Sequence, residues 1–130
     1  VFEVEPSETQ KYGIIDAENI SHNVKKVMGL IEKPTPEKAP SNNAIIGRYI
    51  LTPEIFDILG QKKIGSGGEI QLTDAMASLL KDQSIYGYQF KGTRFDCGDK
   101  AGFLMANIAY ALERPEIKPK LMPFINSIVK

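Results

Sequence analysis

The apolar positions fall into two regimes along the chain. In the first half they come in short runs broken by turn residues: Val1 to Val4 alternates weakly, Tyr12-Gly13-Ile14-Ile15 is compact and β-favouring, and Val24 to Ile31 carries Val27, Met28, Leu30 and Ile31 ahead of Pro34. Pro34, Pro36 and Pro40, mixed with Thr35, Glu37, Ser41 and Asn42, mark a loop, because proline cannot donate to a ladder and biases its predecessor to extended geometry. Asn43 to Leu51 is predicted as the next strand, with the run Ala44-Ile45-Ile46 pointing to burial on both faces.

The second half turns helical. Thr52-Pro53-Glu54 reads as a helix opening, with Thr52 as cap and proline at the first helical position, leading into Ile55, Phe56, Ile58 and Leu59. Gly65, Gly67 and Gly68 form a loop in which Gly67-Gly68 permits a tight turn. Thr73 is predicted to cap a helix whose apolar set is Ala75, Met76, Leu79 and Leu80, and Tyr86 to Phe90 reads as a strand. Asp99 caps a long helix with Ala101, Leu104, Met105, Ile108, Ala111 and Leu112 on one face; Pro115 ends it, and Leu121 to Val129 forms one more short helix. Strands early and helices later in one short chain predict α/β or α+β packing.

Composition narrows the function classes. The 130 residues are 42% hydrophobic and 25% charged, an ordinary globular balance for which one domain is the default. A chain of this size buries roughly two-thirds of its unfolded surface and needs no disulfide or structural metal. Sixteen basic against sixteen acidic residues argue against a nucleic-acid partner, which requires a basic excess. No stretch approaches the roughly 20 apolar residues of a membrane helix, so no membrane partner is expected, and the expected setting is a reducing cytoplasm. Val1-Phe2-Glu3-Val4 reads as a strand already under way, so the chain is expected to be an excerpt of a longer protein.

The common nucleophilic arrangements fail on inventory. The single histidine, His22, sits in the polar run Ser21-His22-Asn23 and reads as a surface turn residue. The single cysteine, Cys97, lies between Asp96 and Gly98; a nearby carboxylate raises a thiol pKa, so it reads as a small packing residue. Glu32-Lys33-Pro34 places a carboxylate and an ammonium at a strand end, where α/β proteins bind ligands, although the tripeptide alone is better explained as an exposed pair. Asp96-Cys97-Gly98-Asp99-Lys100 lies at a strand-to-helix junction. With Asp99 explained as the cap, Asp96 is the candidate magnesium ligand, and a turn aspartate bonded to backbone N–H groups fits the pattern as well.

Together these pieces resemble a known family. Tyr12-Gly13-Ile14-Ile15-Asp16, Ile31-Glu32-Lys33-Pro34, Ala39-Pro40-Ser41-Asn42, Ala44-Ile45-Ile46-Gly47-Arg48-Tyr49, Gly67-Gly68-Glu69-Ile70-Gln71-Leu72-Thr73-Asp74-Ala75 and Asp96-Cys97-Gly98-Asp99-Lys100 occur in the order and spacing of the bacterial UTP-glucose-1-phosphate uridylyltransferases. The resemblance runs over essentially the whole chain. Glu-Lys-Pro is shared across sugar nucleotidyltransferases; Glu-Ile-Gln-Leu-Thr-Asp-Ala followed by Asp-Cys-Gly is much more specific to the uridylyl branch.

The resemblance implies the C-terminal part of a Rossmann-like nucleotide-diphospho-sugar transferase, a mixed sheet with C-terminal helices, with residues 1–130 as one sugar-phosphate-binding domain and the N-terminal nucleotide-binding half absent. It implies uridylyl transfer from UTP to glucose 1-phosphate, giving UDP-glucose and pyrophosphate with Mg2+. By motif, Lys33 holds the glucosyl phosphate, Glu32 the sugar hydroxyls, Gly13 admits the sugar against bare backbone, Tyr49 lines the pocket, and Asp96 shares the magnesium. Glu69 and Asp74 are expected to shape the loop and the start of its helix. A homo-oligomer is also expected, because a sheet severed from its other half exposes apolar surface and strand edges. Two alternatives stand beside this: a sister enzyme such as a thymidylyltransferase, and a non-catalytic self-association module.

Overall fold

Ile14 and Ile15 are adjacent residues whose side chains point to opposite faces of a strand, and both are fully buried. The strand carrying them therefore lies inside the protein. A computed structural model, which describes residues 1–129, shows how this is achieved. β2 (Gly13–Asn19) pairs antiparallel with β3 (Val24–Glu32) in a long hairpin. β4 (Asn43–Ala44) lies on the other side of β2 with β1 (Phe2–Glu3) outside it, and β5 (Tyr86–Tyr88) pairs with the start of β3, giving the order β1-β4-β2-β3-β5.

One face of the hairpin carries Ile15, Val27 and Leu30 into a cluster with Ile55 of α1 (Glu54–Gly60) and Ala75, Met76 and Leu79 of α2 (Leu72–Leu79). The other face carries Ile14 into a smaller cluster with Val4 and Ala44, covered by Phe2 and Tyr12. Val27 and Leu30 are three residues apart, which a regular strand would put on opposite faces. The register explains their agreement: Val27 pairs with Ala17 and Gly29 with Asp16, so Met28 is the extra residue of a bulge that resets the alternation.

The α/β class holds, and the sheet differs from expectation in one respect. A mixed sheet was predicted, yet every strand pairing among the described residues is antiparallel. β2 and β3 are joined by a short turn, and parallel neighbours would need long crossovers that no β2–β3 connection supplies. The predicted strand Asn43 to Leu51 is likewise confined to Asn43–Ala44. After Ile45 donates to the Gly13 carbonyl at 2.9 Å, Gly47 enters the left-handed region at φ 63° and turns the chain out of the ladder.

Helix starts were only partly legible. Thr52 does not cap α1; its hydroxyl lies 2.9 Å from Gln83 Oε1. Thr73 does not cap α2 either: Gln71 holds the cap position and Thr73 is buried inside the first turn. Gly67 and Gly68 take φ of 73° and 78°, the conformation expected for their turn.

The chain divides into two compact units, Val1–Phe90 and a second from Lys91 onward. The second unit contains α3 (Lys100–Leu112) and α4 (Lys118–Ile128). Asp99 caps α3 as predicted, accepting from the Gly102 amide at 2.8 Å, and the helix stops before Pro115. Cys97, read as a packing residue, is exposed, because it belongs to the turn ahead of α3 and to no packed face. Among the described residues no helix is long and apolar enough to cross a membrane.

Met76 lies at the centre of the main cluster. Its replacement by alanine is expected to lower stability by about 2–5 kcal/mol, measured by urea unfolding, since a buried side chain is removed and the site refills only in part.

Candidate functional site

The last pair of the hairpin is Gly13 opposite Glu32. Glu32 turns its carboxylate inward, its side chain only 10% exposed. A carboxylate so placed needs a hydrogen-bond donor. Thr73, 5% exposed on the first turn of α2, provides it: its hydroxyl donates to Glu32 Oε2 at 2.5 Å. The two groups are 41 residues apart and meet because α2 packs on β3. Gly13 clears the space in which they meet. A Cβ there would lie 2.7 Å from Thr73 Oγ1, 2.8 Å from Ile45 Cδ1 and 3.0 Å from Glu32 Oε2. Any side chain at this buried position would push the carboxylate and the hydroxyl apart.

Lys33 follows at the corner where β3 ends. Its φ is 47°, a left-handed conformation that costs a residue with a side chain about 1–2 kcal/mol. The corner is held from both sides. The Lys33 amide donates to the Tyr12 carbonyl at 3.0 Å, and the buried Thr9 hydroxyl lies 2.9 Å from the Pro6 carbonyl and 3.3 Å from that of Pro34. The ammonium is about half exposed and 3.9 Å from Glu32 Oε1, too far for a hydrogen bond. Its three donors stay available to an anion. Tyr49 is half-buried. Burial, and then the charge of Glu32, raise its phenol above the ordinary value of 10.0, so the ring stands within electrostatic reach of that carboxylate and keeps its proton at neutral pH.

Asp96 belongs to the second unit. Its Oδ2 accepts from Arg94 Nη2 at 3.0 Å and its Oδ1 from the Gly98 amide at 3.1 Å. The Gly98 amide first, and the Arg94 charge after it, hold its carboxyl below the usual carboxylate range, so it is ionised at neutral pH. Each oxygen retains a lone pair beyond its present partner, which fits a single oxygen ligand to a hard divalent cation. Among the described residues no group of three or more histidine, cysteine, aspartate or glutamate side chains forms a metal cage. Among the described residues Asp96 thus stands without other carboxylates, histidines or cysteines grouped around a common metal position.

Gly13, Glu32 and Lys33, singled out from the sequence, therefore gather at one strand end of the first unit, and the Glu32 charge is felt at Tyr49. Tyr49 lies in an irregular segment, where the sequence predicted a strand. Thr73 was missed as a site residue. Its signal was available: Thr73, Met76 and Leu80 follow helical spacing, so the buried face of α2 carries a hydroxyl that must find a partner. Glu69 and Asp74 lie in the loop and at the start of its helix. The Gly65 amide donates to the Glu69 carbonyl at 2.9 Å, and Asp74 sits in the first turn of α2.

Comparisons with known proteins identify what the chain is similar to. The family pattern described as Nucleotidyl transferase matches residues 1–113. UTP–glucose-1-phosphate uridylyltransferase of Pseudomonas aeruginosa is 53% identical over 109 residues, 83% of this chain and 39% of the relative. The protein of the same name from Staphylococcus haemolyticus is 48% identical over 128 residues, 98% of this chain and 44% of the relative. A crystal structure of UDP-glucose pyrophosphorylase complexed with UDP-glucose superposes with a TM-score of 0.81 at 48% identity, covering 86% of this chain and 42% of that one. A UTP-bound UGPase from Acinetobacter baumannii gives 0.82 at 33% identity, covering 98% and 44%. The chain thus spans less than half the length of the relatives it matches. Every residue of both sites falls within the matched 1–113 segment, and the chain belongs to the nucleotidyl transferase family.

Proposed function

We propose that this chain supplies the sugar-phosphate part of a uridylyl transfer from UTP to glucose 1-phosphate, giving UDP-glucose and pyrophosphate. The observation that carries the proposal is the Glu32 carboxylate fixed by Thr73 opposite Gly13, with the Lys33 ammonium at the same strand end. It sits in a chain similar to proteins named for that reaction.

A carboxylate already bonded to Thr73 keeps further lone pairs for sugar hydroxyls, and its orientation is set before the sugar arrives. The missing Cβ at Gly13 leaves the room that the Glu32 carboxylate and the Thr73 hydroxyl need to meet. Lys33 holds the glucosyl phosphate as a compact cation, and Tyr49 lines the pocket with a protonated phenol. A phosphate oxygen of glucose 1-phosphate attacks the α-phosphorus of UTP; the bond to the bridging oxygen of the β-phosphate breaks, and pyrophosphate leaves with that electron pair. No enzyme nucleophile is needed, so positioning and charge neutralisation supply the catalysis. Magnesium, when bound, neutralises phosphate charge, and within this chain Asp96 is the residue proposed to hold it. The full-length protein is proposed to act in the cytoplasm as a homo-oligomer. Exposed Phe103, Leu104 and Met105 on α3 and Phe124 and Ile128 on α4 support self-association.

Because the chain spans less than half of its relatives, turnover is proposed for the full-length protein. The 130-residue chain alone is expected to release no pyrophosphate from UTP, and a coupled phosphate assay showing release would overturn that. In the full-length protein, Lys33→Ala is expected to raise KM for glucose 1-phosphate roughly tenfold to a hundredfold, the loss of one charge-assisted bond. An unchanged KM would remove Lys33 from phosphate binding. Thr73→Val is expected to lower stability by about 1–3 kcal/mol and to weaken sugar binding, while Thr73→Ser retains both; equal behaviour of the two variants would show that the hydroxyl is not the operative group. Asp96→Asn should reduce kcat by on the order of a hundredfold or more, the upper end seen even for groups that only support a metal ligand. Near-normal turnover of that variant would reassign Asp96 to structure.

A further inference from the structure

Asp96 is held at both ends of the residue. Arg94 and the Gly98 amide take the two carboxylate oxygens, and the Asp99 amide donates to the Asp96 carbonyl at 3.2 Å. A fourth constraint is steric. A Cβ at Gly102 would lie 2.2 Å from the Asp96 carbonyl oxygen and 3.0 Å from its carbonyl carbon, and a Cβ at Gly98 would lie 3.2 Å from Asp96 Oδ1.

Backbone conformation does not call for glycine at either position, since neither Gly98 nor Gly102 has a positive φ. Helix propensity opposes it at Gly102, where alanine would be the better helix former. What the two positions share is that a methyl group would press on Asp96. Gly102 cannot retreat from that contact. Its amide donates to the Asp99 carboxylate at 2.8 Å, and Phe103 donates to the Asp99 carbonyl at 2.9 Å, so the first turn of α3 is tied to the turn that carries Asp96.

We infer that Gly98 and Gly102 are positioning residues for the Asp96 carboxylate: their missing side chains let α3 be drawn onto the Asp96 peptide, which sets where that carboxylate meets its cation. The inference rests on the proposed role of Asp96 as a cation ligand. It adds that the ligand's position is decided by two glycines that touch neither substrate nor cation.

Mn2+ alone, titrated into the full-length protein and followed by the electron paramagnetic resonance of the free ion, reads the cation site without turnover. Gly102→Ala is expected to raise the Mn2+ Kd about tenfold or more, as for other groups that orient a metal ligand. Gly98→Ala should raise it by a smaller factor, because its methyl needs only a slight displacement of the carboxylate oxygen. Gly60→Ala, where a Cβ meets nothing within 4 Å, should leave it unchanged. Thermal unfolding without metal identifies any variant that fails to fold, and Gly98→Ala, in an exposed turn, decides the question should Gly102→Ala be one. Wild-type affinity in the folded glycine variants, with weakened binding in Asp96→Asn, overturns the inference and leaves Asp96 as ligand. Wild-type affinity in Asp96→Asn overturns the ligand role, and the inference with it.

Discussion

The hydrogen bond between Thr73 and Glu32 is the interaction on which the first unit's site depends. It joins a helix to a strand end, and it exists only because the strand pairing puts a residue without a side chain opposite Glu32. An inward carboxylate is a liability in a core, since burial without a donor is costly. Thr73 removes that liability, and it also fixes the direction of the carboxylate before any ligand binds. The apolar cluster of Ile15, Leu30, Met76 and Leu79 beneath it holds α2 against β3, so hydrophobic packing is what brings hydroxyl and carboxylate into register.

The same hairpin end explains how a strained lysine persists. Lys33 adopts a conformation unfavourable for a residue with a Cβ, and the surrounding structure overdetermines it. The Tyr12 carbonyl takes its amide, Thr9 anchors the Pro34 carbonyl just past the corner, and Pro34 prevents the strand from continuing. The chain therefore turns at a fixed point with the ammonium beside, and not bonded to, the Glu32 carboxylate. A cation and an oriented acceptor thus meet at one strand end, and the proposed sugar-phosphate binding rests on that pair.

Around Asp96 the constraint has a different origin. There is little apolar burial near this turn, and the order comes from a closed set of local polar contacts: Arg94, the Gly98 amide, the Asp99 amide and the Asp99 cap on Gly102. Such contacts lie within eight residues of one another, which is why the cap and the turn were legible from the sequence while Thr73 was not. Local chemistry can be read from neighbours in the chain. A bond across 41 residues depends on how two elements pack.

By itself the sequence determined the element types and the caps and turns made by Asp99, Gly67, Gly68 and Pro115, because each rests on residue chemistry and short spacing; the order of its motifs carried the resemblance through which Gly13, Glu32, Lys33, Tyr49 and Asp96 became candidates. Tertiary structure alone decided the rest. The bulge at Met28 let Val27 and Leu30 share a face, and Gly47 ended β4 after two residues where the apolar run suggested nine. Antiparallel pairing brought Gly13 opposite Glu32, and α2 turned Thr73 from a supposed cap into the partner of a carboxylate. The reason is the same in each case: pairing register and helix packing are set by the summed burial of distant residues, and no local pattern contains that sum.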